Sequence, residues 1–77
     1  NEELEERSQF EKYSERARLG DAAAQYELGQ CYNQGKGVEK SMTDAAKYFK
    51  IAADNGQVDA CRMMGWFYAE GKGGLPQ

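Results

Sequence analysis

The sequence predicts an all-α solenoid of antiparallel helix pairs, and three observations carry that prediction. Eight of the nine glycines fall into four pairs 36 residues apart: Gly20/Gly56, Gly29/Gly65, Gly35/Gly71 and Gly37/Gly73. The same interval pairs Ala17 with Ala53, Ala24 with Ala60, Tyr32 with Tyr68 and Lys36 with Lys72. Between the glycines, apolar residues recur at helical spacing. A fixed interval of this length marks stacked repeats, because each unit must offer its neighbour the same turn and close-packing positions.

The elements follow in order. Residues 2 to about 19 read as a helix with Phe10, Tyr13 and Ala17 at helical spacing in a polar background, Leu4 standing earlier. Gly20 ends it by taking the left-handed conformation that suits a glycine after a helix. Asp21 then caps a second helix, 22–34, closed by Gly35. Residues 35–40 form a loop whose Val38 turns toward the core. Ser41 and Asp44 resemble a capping box with Asp in place of Glu or Gln, opening a third helix that runs to about Asn55 before Gly56. A fourth helix, about 58–70, stops at Gly71.

The 36-residue shift sorts these helices into two types. The second and fourth correspond and are called A; the first and third correspond and are called B. Residues 1–77 are thus one solenoid segment: a B-type helix over 1–19, one repeat over 20–55, and the start of a second over 56–77. Residues 74–77 stand where 38–41 stand one repeat earlier, at the place where another B-type helix would begin. On this reading Met64, Phe67 and Tyr68 lack the cover of a following B-type helix and form an assembly edge, continued by further repeats or by another chain.

Length and charge narrow the function classes. A chain of 77 residues has a marginal core of its own. A formal charge of −3 and a pI near 4.9 do not form the basic footprint of a nucleic-acid binder. No apolar run approaches the roughly 20 residues of a membrane span. The two cysteines, Cys31 and Cys61, are 30 residues apart and so occupy different places in the repeat. With no histidine, a four-ligand zinc site is not expected, and no spacing nominates an acid–base pair for catalysis.

Residues 17–74 resemble the Sel-1-like repeats, relatives of the tetratricopeptide repeats. The pattern A-x-x-x-L-G-x-x-Y-x-x-G-x-G-V is met at Ala24, Leu28, Gly29, Tyr32, Gly35, Gly37 and Val38. Its continuation is met at Ala45, Tyr48, Phe49, Ala52, Ala53 and Gly56. Met64 replaces the leucine, Gly74 the valine, and Ser41 stands where Asp is frequent. Secreted members of the family pair two cysteines across the B-to-A turn; here Ala53 occupies one of those positions and Cys61 the other, so that cross-link is not expected. The resemblance implies a short right-handed α-solenoid that binds a protein or peptide partner, with the A helices lining a concave groove.

The remaining residues are read from chemistry. A mid-helix glycine costs about 1 kcal/mol relative to alanine. Gly29 and Gly65 therefore need a reason, and close approach of a helix bearing Ala45, Ala52 and Ala53 supplies one, with backbone contact to a ligand as the alternative. The Gly-Lys-Gly loops at 35–37 and 71–73 lack the spacing and the preceding strand of a phosphate loop and read as turns. Cys31 shares a face with Ala24 and Leu28 and reads as a small buried hydrophobe; Cys61 is either a surface residue or a reactive thiol.

Opposite that face, Tyr26, Gln30 and Asn33 cluster on one A helix. The repeat shift brings Arg62 and Trp66 to the equivalent face of the next. Tyr, Trp and Arg dominate binding hot spots, so these five residues are the expected partner-binding set; the alternative is that Trp66 packs against a further repeat and Tyr26 against Trp66 or Arg62. Glu2, Glu3, Glu5 and Glu6 make a helix start favoured by the dipole, or a contact for a basic partner. The expected function is a non-catalytic interaction module, adaptor or scaffold, holding a peptide or partner helix on the concave face without cofactor or metal. The alternative is self-association into a homodimer or longer solenoid through the last A helix.

Overall fold

A computed structural model describes residues 2–74; residues 1 and 75–77 lie outside it, and with them most of the stretch where a further B-type helix is expected to begin. Four α-helices follow one another, α1 (Glu2–Arg18), α2 (Ala22–Gln34), α3 (Met42–Asp54) and α4 (Val58–Glu70), closed by a 3-10 turn at Lys72–Gly74. Among the described residues there is no strand.

The helix ends are set chemically. Asp21 accepts from the Ala24 amide at 3.2 Å, Ser41 from the Asp44 amide at 3.2 Å, and Gln57 from the Ala60 amide at 3.1 Å, each satisfying one orphan donor of a first turn. Asp21 and Gln57 hold the same repeat position, so one capping role passes between two different side chains. At the other ends Gly35 and Gly71 sit at φ 71° and 66°, the left-handed geometry that lets the chain turn out of α2 and α4.

Successive helices pack side by side into a body of 38 × 22 × 15 Å. Between α1 and α2, Ala17, Ala24 and Leu28 are buried, with Phe10, Tyr13, Tyr32 and Tyr48 around them. Between α3 and α4 the buried set is Ala45, Ala46, Phe49, Met64 and Phe67. Phe49 joins the two halves: its ring centroid lies 5.7 Å from Tyr26 of α2 and 5.5 Å from Phe67 of α4, the latter edge to face at 83°. Fully burying a side chain of this size stabilises by about 1.5–3 kcal/mol.

Gly29 shows why α2 carries a glycine. A Cβ there would come within 2.7 Å of Phe49 Cδ1. The close approach is therefore onto an aromatic ring, rather than onto the Ala45, Ala52 and Ala53 row expected from the sequence.

The expected assembly edge is corrected in two of its three residues. Met64 is 8% exposed and Phe67 fully buried, both packed into the α3–α4 core; Tyr68 alone is open, at 42%. The reason is register. Met64 and Phe67 correspond to Leu28 and Cys31, which lie on the side of an A helix that meets the preceding B helix. The following B helix is met by Gln25, Gly29 and Tyr32. Gln25 accepts from Asn55 Nδ2 at 2.9 Å, Gly29 receives Phe49, and Tyr32 stacks on Tyr48 at 5.6 Å and 4°. Their counterparts on α4 are Cys61, Gly65 and Tyr68, and all three are exposed.

Candidate functional site

On α2 the row Tyr26, Gln30, Asn33 is held together by its own hydrogen bonds. Gln30 Nε2 donates to the Tyr26 hydroxyl at 2.8 Å, and Gln30 Oε1 accepts from Asn33 Nδ2 and from Gln34 Nε2, each at 3.5 Å. All three members of the row are half-buried, since the Tyr26 ring lies against Phe49. The row is thus a fixed polar ledge with one aromatic end. Its amides and phenol can bond to a peptide backbone.

On α4, Arg62 and Trp66 hold the corresponding positions and are open. Arg62 Nη1 lies 3.7 Å from Asp59 Oδ1, with the guanidinium side chain 79% exposed. Trp66 meets Phe67 edge to face at 5.5 Å, and Lys72 Nζ lies 4.8 Å from its ring centre. That cation over the indole face holds both groups at the surface. The structure thus gathers Tyr26, Gln30 and Asn33 into one network and places Arg62 and Trp66 on another helix. The two groups connect through the ring series Tyr26, Phe49, Phe67 and Trp66.

The sequence offers the α1 carboxylates as a contact for a basic partner, but their joining to this surface was missed. A groove of about 500 Å³ runs along the seam of α1 and α2, with Glu2, Glu5, Glu6, Gln9 and Tyr13 on one wall. Tyr26, Glu27, Gln30, Cys31, Gln34 and Lys36 form the other. The signal was available. Antiparallel packing of a B helix on the next A helix brings the acidic start of α1 to the end of α2, so the carboxylate run and the amide ledge meet across one cleft.

Cys31 lies at the base of that groove, 6% exposed. Burial pushes its thiol above the ordinary value, with the Glu27 carboxylate adding to the rise. Cys61 is exposed, and both cysteines are free. Among the described residues, no group of three or more His, Cys, Asp or Glu is placed to hold a metal ion, and no helix is long and apolar enough to cross a membrane.

Comparison with known proteins matches this architecture. The Sel1 repeat model fits residues 22–57 and 58–77. The crystal structure of a Sel1 repeat protein from Oxalobacter formigenes superposes with a TM-score of 0.83 at 34% identity, over 87% of this chain. The chain spans 27% of the length of that protein.

Proposed function

The chain belongs to the Sel1 repeat family, a family of non-catalytic repeat scaffolds that generally mediate protein–protein interaction, and from that premise we propose that it is itself a non-catalytic interaction module. As an adaptor or scaffold it holds a peptide or a partner helix along the concave face of its A helices. The observation that carries the reading is the ledge of Tyr26, Gln30 and Asn33. Its groups are fixed before a partner arrives, so binding costs less side-chain ordering. Arg62 and Trp66 extend the same face onto α4 and bring the residue types that anchor interfaces.

A peptide array covering varied charge and hydropathy tests the reading. The expected result is a defined set of retained peptides, lost at least tenfold in affinity with Trp66→Ala or Tyr26→Ala while helicity is unchanged. Peptides retained equally by these variants would remove the face from consideration.

A second reading, association through the last A helix, is favoured by one observation. A Cβ at Gly65 would meet nothing within 4 Å, whereas its counterpart Gly29 is filled by Phe49. The surface concerned is Cys61, Gly65 and Tyr68. Sedimentation equilibrium over a concentration series decides between them, because a mass fixed at 8.6 kDa throughout excludes self-association.

A further inference from the structure

The seam of α1 and α2 has a counterpart one repeat later, and the two differ in chemistry. Between α3 and α4 the equivalent positions carry Val38, Ser41, Met42, Ala45, Phe49 and Met63. There Ala45 and Phe49 are fully buried, Met42 and Met63 pack on them, and α2 closes the cleft with Tyr26. In the first unit those six positions are Glu2, Glu5, Glu6, Gln9, Tyr13 and Glu27. A cleft meant for another apolar helix would keep its apolar lining. This one has exchanged it for carboxylates and amides.

Those carboxylates are also unneutralised. Arg7, Arg16, Arg18 and Arg62 each pair with a carboxylate elsewhere, at Glu11, Asp21, Glu15 and Asp59. Lys50 pairs with Asp54. Glu2, Glu5, Glu6 and Glu27 have no ion pair among the described residues. Of the groove's charged residues only Lys36 is of opposite sign. A second feature marks the base of the cleft: the Cys31 thiol, 6% exposed, lines it with no hydrogen-bond partner among the described residues. Tyr13 and Tyr26 offer ring faces along which the methylene stems of long cationic side chains can lie.

We infer that the α1–α2 groove binds a lysine- and arginine-bearing peptide segment of a partner protein, its cationic groups neutralising Glu2, Glu5, Glu6 and Glu27. The inference rests on the interaction-module reading and adds the partner's chemistry to it. Like charge disfavours nucleic acid in this groove, and the carboxylate lining disfavours an apolar helix face. Carboxylates lining one cleft act on a charged ligand together, and added salt screens them.

The test uses a fluorescein-labelled heptapeptide with two lysines and two arginines among glycine and serine, titrated against the whole chain, beside an all-glutamate analogue. Expected is saturable binding of the basic peptide alone, weakened by salt. Glu6→Gln with Glu27→Gln should weaken it about tenfold, while Glu39→Gln with Glu70→Gln, which changes net charge equally but lies outside the groove, should leave it within about twofold. In a Cys61→Ser background, saturating peptide should slow alkylation of Cys31, a readout that needs no groove variant to fold. Equal weakening by the two double variants, unprotected Cys31, or no binding would each overturn the inference. The array separates its failure from that of the broader reading: retained neutral or acidic peptides sensitive to Trp66→Ala sink only the basic-segment inference, and an array that retains nothing sinks both.

Discussion

Asp21 does two jobs with one carboxylate. It accepts the Ala24 amide at 3.2 Å to start α2, and it takes Arg16 Nη2 at 2.9 Å, tying that start to the end of α1. The backbone hydrogen bond first, and the guanidinium second, hold its pKa below the ordinary 3.8. A depressed carboxylate pKa means that the folded state prefers the ionised form. Its contribution is therefore complete above about pH 4 to 5 and is lost as pH falls through the lower, folded value. Asn caps a helix as well as Asp does, so Asp21→Asn keeps the cap and removes the titration. Thermal melts followed by circular dichroism should show the wild type losing more stability than Asp21→Asn between about pH 5 and pH 2. Parallel loss in both proteins would show that this carboxylate carries none of the acid sensitivity. The cap itself was legible, because Asp follows a glycine and precedes an alanine run. Gln57, its counterpart, was not, since glutamine is no usual N-cap and only the structure shows its side chain at the Ala60 amide.

At the scale of the helix, the boundaries and the A and B types could be read from glycine positions, but the facing of α4 could not. Periodicity shows that Met64 and Phe67 lie on an apolar stripe; it does not say which of two neighbouring helices that stripe meets. Gln25 settles the matter physically. Only 5% exposed, it donates through Nε2 to the Ala17 carbonyl at 3.3 Å and accepts from Asn55 Nδ2 at 2.9 Å, joining the ends of α1 and α3 across α2. A polar residue among alanines gave no sequence signal of burial, and its counterpart Cys61 is exposed. Gln25→Ala would leave the Ala17 carbonyl without that donor and Asn55 without its acceptor. The expected cost is about 1–3 kcal/mol, measured by urea unfolding. A loss below about 0.5 kcal/mol, the scale of an ordinary surface change, would show that solvent replaces both bonds. The acidic groove was legible in its parts, as a carboxylate run and an amide row. Their meeting follows from the antiparallel packing that the repeat predicts, but the register that joins them into one cleft shows only in the fold.

Across the four helices, the first and the last differ in what they offer a neighbour. The face that α3 turns to α2 carries Tyr48 and Phe49, against Tyr32 and Tyr26, whereas the corresponding positions of α1 are Lys12 and Tyr13. The α1 of a second copy would bring a lysine to Tyr68 where α3 brings Tyr48 to Tyr32. What α4 does match is a helix of the α3 kind. Nearest-neighbour energetics in a solenoid make this testable in one chain. A copy of residues 39–56 joined in register after Gly74 would bring its own phenylalanine over Gly65 and its own tyrosine onto Tyr68. In the unextended protein, Gly65→Ala adds a methyl group where nothing lies within 4 Å and should stabilise α4 by about 1 kcal/mol. In the extended protein the same methyl group would meet the new ring as a Cβ at Gly29 would meet Phe49, at 2.7 Å. Relieving that overlap must tilt the ring or lift the added helix off α4, so Gly65→Ala should then lose its gain and destabilise by about 1–3 kcal/mol. Denaturant unfolding of the four proteins reads the sign directly. Stabilisation in both backgrounds would mean that the added helix does not seat on Gly65, and that the open face of α4 is shaped for some other neighbour.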